Sequence, residues 1–382
     1  MNILYVHPCN INYPGGAEKF VVEVFKRLRL RDYNIKILYT RWAPHKPVAK
    51  QNYYELVKYN VKLYECKYIK LPRGYPIIKP EHIVRESKKC DLLYMSAYSP
   101  NELTVCILKK AKALNKPIVA IFHCMLEPHR DMLHKIYLVP SIVAYRTFNK
   151  LHVLNKHAYN LFVRRYSIDR RKVALIPNGV DVTKYHIKKE DNHFKILWTG
   201  RLVYDKGADI LYRIVTVFNS TYQRIKDHVR FIITGSGSKT LETFFFKLSQ
   251  KYNNVKYLGY VNTVTLREMY ASSHLYLLTS RTEGIPLRAL EALASGLPIV
   301  GSNIPGVRDL IISKCMGKLV KINDVHNFCK AIKYYYDLWN IAPEEYYNIR
   351  LAIRDYIVKN FSWDIIVNKI EEMFEEIALG AK

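Results

Sequence analysis

The sequence predicts an α/β protein made of two successive sets of βα units, each forming a doubly wound parallel sheet. Short apolar segments recur along the chain, and most are followed by a longer segment with helical periodicity. At 382 residues the chain is too long for one ordinary domain. A polar run over residues 188–193 separates the two sets. We therefore expect one domain over residues 1–180 and a second over residues 190–361.

The excess of basic residues indicates which kinds of binding partner the protein attracts. The chain carries 60 Lys+Arg against 33 Asp+Glu, a formal net charge of +27. Such a balance attracts nucleic acid, anionic lipid head groups or phosphorylated substrates, although a solvated basic surface gives the same count. None of the common nucleic-acid reader motifs is visible, so we expect no nucleic-acid partner.

The cysteines and the N-terminal residues indicate the cellular compartment in which the protein is expected. Seven cysteines are scattered without a Cys-x-x-Cys pair, which predicts neither a disulfide framework nor a zinc site. The first residues, Met1 to Val6, resemble a strand and not a signal peptide. No apolar run is long enough for a membrane span. We expect a cytoplasmic protein.

In the first set, the segment Ile3 to Val6 predicts a strand and Ala17 begins a helical pattern. Gly15 and Gly16 lie at the turn between them, where glycine lets the backbone approach a ligand closely. The pattern is not G-x-G-x-x-G, so no dinucleotide site is indicated. A plain helix-start turn is the alternative.

Further strands are predicted at 35–39, 91–95 and 117–122, with a basic helix at 103–114. The segment 42–80 is irregular, and we expect strands and an excursion there. His123 follows the strand 117–122, and ligands of open α/β sheets bind outside the carboxyl ends of strands. His123 is thus a candidate site residue, or a structural histidine at the end of a strand.

The segment 128–150 alternates basic residues with aromatic and aliphatic ones. Such a helix suits an anionic membrane surface, and a core helix with a solvated basic face is the alternative. Pro140 would kink or split it.

In the second set, strands predicted at 195–198 and 229–233 are each followed by a glycine-containing loop. The first loop contains Gly200, Arg201 and Lys206, and the second contains Gly235 and Gly237. Arginine offers a planar fork to phosphate oxygens and lysine a mobile charge. Both loops are therefore candidates for binding phosphate groups.

The stretch that follows the strand Leu275 to Leu278 carries the strongest pattern. A loop with Glu283 leads into a helix from Leu287 to Ser295, with Pro286 expected at its first position and Gly296 at its end. The backbone amides over residues 284–287 suit a phosphate, because they lie at the positive end of the helix dipole. Glu291, in the second helical turn, can lean back toward the loop and bind vicinal hydroxyls.

The sequence Glu283-Gly-Ile-Pro-Leu-Arg-Ala-Leu-Glu291, with the following Ala-Leu-Ala-Ser-Gly-Leu-Pro, resembles the E-x7-E signature of retaining GT-B glycosyltransferases of family 4. The resemblance implies the GT-B fold, in which two Rossmann-like doubly wound parallel-sheet domains face a central cleft. It also implies that the final helix, residues 362–382, crosses back to the first domain. The implied activity is transfer of a hexose from a nucleotide-diphosphate sugar to an acceptor hydroxyl.

The resemblance also implies roles for the candidate residues and the partners. Catalytic roles fall on Glu283, Arg201, Lys206 and His123, and nucleotide-sugar binding falls on Gly15, Gly16, Gly200, Gly235, Gly237, Gly284, Ile285, Pro286, Leu287 and Glu291. No Asp-x-Asp motif occurs, which fits a site that needs neither metal nor cofactor. The expected acceptor is a glycan, a lipid-linked sugar or a protein, and a peripheral position on the inner membrane face would follow from a lipid acceptor.

Three positions depart from the family pattern: Cys124 replaces an aspartate that often follows the histidine, Ile285 a phenylalanine, and Arg288 an apolar residue. The identity of the donor stays open for this reason. Two other classes also stay open: a non-catalytic, basic nucleic-acid-binding protein, and a sugar-nucleotide epimerase or phosphorylase on the same fold. An epimerase needs no acceptor, whereas a glycosyltransferase does. Product formation with and without acceptor therefore distinguishes a glycosyltransferase from an epimerase.

Overall fold

A computed structural model describes residues 1–43, 50–70, 75–123, 141–188 and 192–380. The chain divides into two compact units. Unit 1 contains Met1–Asn178 together with Trp363–Lys382, and unit 2 contains Gly179–Ser362. Each unit has its own parallel sheet and its own apolar core.

Unit 1 is built on a seven-stranded sheet with the order β3-β2-β1-β6-β7-β8-β9, in which every neighbouring pair is parallel. Its strands are β1 Asn2–Val6, β2 Asn34–Tyr39, β3 Lys62–Glu65, β6 Leu92–Ser96, β7 Ile118–Phe122, β8 Lys150–Val153 and β9 Val173–Leu175. A separate antiparallel pair joins β4 Tyr68–Ile69 to β5 Ile77–Ile78. The central strands β6 and β7 are buried throughout, which explains their continuous apolar sequences.

The helices of unit 1 include one from the far end of the chain. Their bounds are α1 Gly16–Arg29, α2 Gln51–Lys58, α3 Pro80–Ser87, α4 Asn101–Lys110, α5 Lys156–Asn160 and α13 Trp363–Gly380. Helix α13 packs within unit 1 and forms ion pairs there, for example between Lys150 and Glu376 at 2.6 Å. Residues 141–145 are also helical.

Unit 2 is built on a six-stranded parallel sheet with the order β12-β11-β10-β13-β14-β15. Its strands are β10 Phe194–Thr199, β11 Val229–Thr234, β12 Val255–Tyr257, β13 Leu275–Leu278, β14 Ile299–Ser302 and β15 Gly317–Val320. Its helices are α6 Ala208–Thr221, α7 Lys239–Lys251, α8 Thr263–Ser272, α9 Leu287–Ala294, α10 Pro305–Arg308, α11 Val325–Ile341 and α12 Pro343–Phe361. The order of the strands is that of a doubly wound nucleotide-binding sheet.

Some elements differ from the sequence predictions. Helix α2 and strand β15 were not predicted, and helix α4 ends at Lys110, four residues before the predicted Leu114, because Lys112 adopts a positive φ of 56°. Pro286 precedes the first residue of α9 instead of occupying its first helical position. The predicted end of that helix is confirmed, since Gly296 takes a φ of +68° there.

Among the described residues, no helix combines the length and the apolar character that crossing a membrane requires.

Candidate functional site

The candidate residues of unit 2 gather at one edge of its sheet. Strands β10, β11 and β13 are parallel, so the loops that follow them leave from the same edge. Strand β10 lies between β11 and β13, and the order of the strands reverses between β10 and β13. Ligands of doubly wound sheets bind at this reversal. The predicted residues of these three loops therefore share the position where a ligand is expected.

Lys206 and Glu283 meet across that reversal. Lys206 Nζ lies 2.5 Å from Glu283 Oε1, and the Ser280 hydroxyl donates to the same oxygen at 2.8 Å. The Lys206 side chain is 29% exposed and the Glu283 side chain 14%. A lysine that is still accessible is thus held by a carboxylate that is mostly enclosed. Two residues predicted from separate motifs form one charged pair.

The backbone that carries Lys206 is fixed by its neighbours. Lys206 ends a short 3-10 turn, and Gly207 follows it with a φ of +65°. A Cβ at Gly207 would lie 2.0 Å from the backbone oxygen of Thr279. The Thr279 hydroxyl donates to the backbone oxygen of Lys206 at 2.9 Å and accepts from the Trp198 indole at 3.0 Å. The loops after β10 and β13 are joined by these contacts.

The glycines of the first two loops allow a similarly close approach. Gly235 has a φ of +134°, and a Cβ there would lie 1.8 Å from the backbone oxygen of Gly200. A Cβ at Gly237 would lie 2.3 Å from the oxygen of Leu202. Arg201 stands between these contacts with an exposed side chain. The loops after β10 and β11 thus pack backbone against backbone and leave Arg201 accessible.

Sequence reasoning missed Arg281 and Asp209. The Arg281 guanidinium forms a two-pronged ion pair with Asp209, with both distances at 2.7 Å. It also lies 3.6 Å from the centre of the Tyr204 ring and donates to the Tyr204 backbone oxygen at 2.6 Å. Arg281 therefore holds the 3-10 turn that carries Lys206 in position. The available signal was an arginine three residues after the end of β13 and an acidic residue in the first turn of α6.

Glu291 lies on α9 and is buried, with 1% of its surface exposed. The Arg288 side chain donates to Glu291 Oε2 at 2.8 Å. The carboxylate also lies beside Tyr185, whose pKa is raised by burial and by this neighbouring negative charge. Arg288, one of the departures from the family pattern, is thus the ion-pair partner of the second signature glutamate.

The segment between the two glutamates approaches another turn closely. A Cβ at Gly306 would lie 1.8 Å from the backbone oxygen of Gly284. Ile285 and Pro286 are buried, and Leu287 begins α9. The first N–H groups of a helix have no acceptor within the helix, so the start of α9 offers donors to an anion.

In unit 1, Gly15 lies directly before α1 and Gly16 is the first residue of that helix. A Cβ at Gly15 would lie 2.1 Å from Glu18 Oε2. Glu18 is 3% exposed, and its Oε1 lies 3.2 Å from His7 Nε2. The glycine therefore leaves room for a buried carboxylate, a function that the sequence did not suggest.

His123 directly follows β7, as predicted, and is partly exposed. Its Nε2 lies 3.4 Å from the Ser96 hydroxyl, and its ring meets the edge of Phe20 with the centroids 5.2 Å apart. Burial, with His7 and His152 nearby, holds the pKa of His123 well below its usual range. The imidazole is therefore neutral at pH 7.

His7, Cys9 and Glu18 offer ligand atoms that lie within 4.8 Å of one another, so these three could approach one metal ion. His7 and Glu18 already bond to each other. Burial and the Glu18 carboxylate raise the pKa of the Cys9 thiol, which opposes the thiolate that a metal would bind. His7 and Glu18 are therefore better described as a hydrogen-bonded pair with Cys9 beside it.

Only part of the segment 128–150 can be compared with its prediction, because residues 128–140, including Pro140, lie outside the described residues, as does Cys124. In the described part, Tyr145 and Phe148 are 3% and 0% exposed and pack in the core of unit 1. These two residues cover the sheet, which agrees with the alternative of a core helix. Val143 is 55% exposed.

Two family models match the chain. The model of the glycosyl transferases group 1 matches residues 182–354, and the model of glycosyltransferase family 4 matches residues 14–184.

Curated relatives are similar over part or all of the chain. An Escherichia coli UDP-Gal:alpha-D-GlcNAc-diphosphoundecaprenol alpha-1,3-galactosyltransferase is 26% identical over 267 residues, which cover 66% of each chain. One of the subunits of the human phosphatidylinositol N-acetylglucosaminyltransferase is 26% identical over 230 residues, 57% of this chain and 44% of that protein. An uncharacterized glycosyltransferase of Methanocaldococcus jannaschii is 23% identical over 396 residues, 96% of each. The chain thus spans less than two thirds of several relatives.

Solved structures are similar over nearly the whole chain. A glycosyltransferase from Rickettsia africae matches with a TM-score of 0.76 at 18% identity and covers 99% of this chain and 98% of that one. The Anabaena HepE protein in complex with UDP matches with a TM-score of 0.77 at 18% identity and covers 98% and 100%. At these identities the likeness establishes the fold.

Proposed function

We propose that this chain, which belongs to the group 1 glycosyltransferases of family 4 and has the GT-B fold, transfers a hexose from a nucleotide-diphosphate sugar to an acceptor hydroxyl. The observation that carries this proposal is the Lys206–Glu283 pair at the reversal of the unit 2 sheet. In this pair, a lysine that is suited to bind a phosphate lies beside a carboxylate that is suited to bind sugar hydroxyls.

Departure of the sugar leaves negative charge on the distal phosphate of the nucleotide. Arg201 and Lys206 supply positive charge there, and the first amides of α9 supply hydrogen bonds. One preorganised donor of this kind is worth about 3 kcal/mol of transition-state stabilisation. In this scheme the charge that a divalent ion would supply comes from the protein, so the reaction proceeds without metal.

Glu283 has a binding role in this scheme. Its Oε1 already accepts from Lys206 and Ser280, so we assign Oε2 to a hydroxyl of the donor sugar. A carboxylate that neutralises a lysine is a weak nucleophile, which supports departure and attack on the same face of the sugar with retention of configuration. A covalent glycosyl adduct on Glu283 would contradict this assignment.

The donor and acceptor are proposed from the relatives. HepE was solved with UDP and with UDP-glucose, and the E. coli relative is named for UDP-Gal. That relative is also named for a diphosphoundecaprenol acceptor, and the human relative is named for phosphatidylinositol. Both acceptors are phosphorylated lipids, which suits a chain of net charge +27. We propose a UDP-hexose donor, a lipid-linked anionic acceptor and a peripheral position on the cytoplasmic face of the membrane.

Binding of the donor can be tested by thermal shift with UDP, GDP and ADP and with their hexose conjugates. A ligand of the folded state raises Tm according to its affinity. The UDP compounds should give the largest shift, and Lys206→Ala should reduce it. The control is Lys247→Ala, which removes an exposed lysine of α7 outside the site.

Turnover is tested separately by the release of UDP with and without a polyprenyl-diphosphate sugar, in the presence and absence of EDTA. We expect release that depends on the acceptor and persists in EDTA. Conversion of the donor without acceptor would favour an epimerase. A shift with nucleic acid and none with any nucleotide would favour the non-catalytic alternative.

A further inference from the structure

Unit 1 contains a connected group of polar side chains behind His123. Tyr5, His7 and Ser96 are each 0% exposed, and Glu18 is 3% exposed. Tyr5 and Ser96 lie on the adjacent parallel strands β1 and β6, and His7 directly follows β1. Buried polar groups cost free energy unless they are paired, so such a group is kept when its hydrogen bonds are complete.

The Ser96 hydroxyl is the centre of this group. Its Oγ lies 2.5 Å from the Tyr5 hydroxyl, 3.0 Å from His7 Nδ1 and 3.4 Å from His123 Nε2. A serine hydroxyl donates one hydrogen bond and accepts two. The three neighbours therefore match the full capacity of the oxygen.

The direction of each bond follows from Glu18. A carboxylate only accepts, so His7 Nε2, at 3.2 Å from Glu18 Oε1, carries a proton. In neutral His7 the other nitrogen, Nδ1, is then an acceptor, and Ser96 donates its hydroxyl proton to it. The two acceptor positions of Ser96 remain for the Tyr5 O–H and for an N–H on His123 Nε2. No other assignment with neutral rings gives each of these atoms a partner.

We propose that Ser96, His7 and Glu18 are positioning residues that hold His123 with its proton on Nε2 and leave its Nδ1 as the acceptor for a substrate hydroxyl. This rests on the proposed function, because the family resemblance is what implies a catalytic role for His123. His123 is the partly exposed end of this hydrogen-bonded group, whereas the other residues of the group are buried. The neutral ring that burial imposes has one donor and one acceptor nitrogen, and the network decides which is which.

The first test is the tautomer of His123 in the free protein. Nitrogen NMR of protein labelled with 15N-histidine distinguishes protonated from unprotonated ring nitrogens, and His123→Gln identifies the signals. We expect His123 with protonated Nε2 and unprotonated Nδ1 at pH 7.5. A proton on Nδ1 would overturn the proposal. This measurement needs no activity, so it stands even if the protein transfers no sugar.

The second test removes the centre of the network. Ser96→Ala should leave His123 in a mixture of tautomers and lower kcat about tenfold or more, with a smaller change in KM for the donor. The matched control is Tyr94→Phe, which removes another buried hydroxyl of β6 that bonds to His152 at 2.7 Å and not to Ser96. An unchanged tautomer in Ser96→Ala, or an equal loss of kcat in Tyr94→Phe, would overturn the proposal.

Coupling gives a third readout. If Ser96 and Glu18 act through the same ring, the variant with both Ser96→Ala and Glu18→Gln should lose no more kcat than the worse single variant. Losses that multiply would show independent roles and would contradict a common network. If Ser96→Ala does not fold, the tautomer of His123 in the wild-type protein tests the proposal alone.

Discussion

Lys206 Nζ lies 2.5 Å from Glu283 Oε1, so a cation from the loop after β10 is held by a carboxylate from the loop after β13. The two residues are 77 positions apart in the chain, and the reversal of the strand order in unit 2 brings them together. The pair joins the phosphate-binding and sugar-binding halves of the proposed site.

Removing the lysine should affect turnover more than donor binding. We expect Lys206→Ala to lower kcat about a hundredfold, because the charge that balances the leaving phosphate is lost. Glu283→Gln keeps the size of the side chain but removes the charge that holds Lys206, and we expect a loss of similar size. Steady-state kinetics with Lys247→Ala as control checks both. A kcat within twofold of wild type for Lys206→Ala would remove this lysine from the mechanism.

The close contact at Gly235 leads to a prediction about stability. Gly235→Ala would place a Cβ 1.8 Å from the backbone oxygen of Gly200 at a φ of +134°, and nothing nearby can give way except backbone. Gly259→Ala is the matched control, because its φ of +62° is also positive but no atom lies within 4 Å of the added Cβ. We expect Gly259→Ala to cost about 1 kcal/mol and Gly235→Ala clearly more, above about 2 kcal/mol. Thermal unfolding measures both, and equal losses of Tm would contradict the role of the contact.

Much of unit 2 could be predicted from the sequence, because its central strands are short apolar runs whose ends carry glycines and charged residues. The strand Leu275–Leu278 was predicted with its observed bounds. Strand β15, Gly317–Val320, was missed because its two middle residues are only partly buried, which leaves no apolar run to recognise. Helix α2 was missed for a related reason, since Leu56 is its only buried residue.

The side-chain networks could not be predicted, because they join residues that are distant in sequence. His7 and Ser96 are separated by 89 positions, and Arg281 and Asp209 by 72. Neither pair has a spacing that a local pattern could reveal. The signature glutamates were found because a motif marks them. Arg288 and Glu291 are only three positions apart on α9, so their pairing was open to prediction, whereas the burial of Glu291 follows only from the structure.

Glu102 predicts a dependence of stability on pH. This residue of α4 is 2% exposed, its Oε2 has no hydrogen-bond partner among the described residues, and burial raises its pKa to about 8. The folded state therefore keeps the proton that the unfolded chain loses near pH 4.5. The stabilisation is fully present below pH 4.5, falls as the pH rises and is gone above pH 8, a change on the order of a few kcal/mol.

Glu102→Gln tests this, because the amide has the same shape and does not ionise. The free energy of unfolding of the variant, relative to wild type, should rise steadily between pH 5 and pH 8. Denaturant titrations at pH 5, 6, 7 and 8 measure it. Parallel pH curves for the two proteins would show that Glu102 ionises at its ordinary value.

Arg281 should be required for the position of Lys206 without touching the substrate. Its guanidinium binds Asp209 through two hydrogen bonds and lies over Tyr204. Lysine lacks the planar fork that makes the two-pronged pair and the stacked contact. We expect Arg281→Lys to lower both the stability of unit 2, by about 1–3 kcal/mol, and kcat. Asp209→Asn keeps the shape and one acceptor, so it should have a smaller effect of the same kind. Because both variants act through the turn at Lys206, each should lose little further kcat when combined with Lys206→Ala. Multiplicative losses in the double variants would show that Arg281 acts on the reaction by another route.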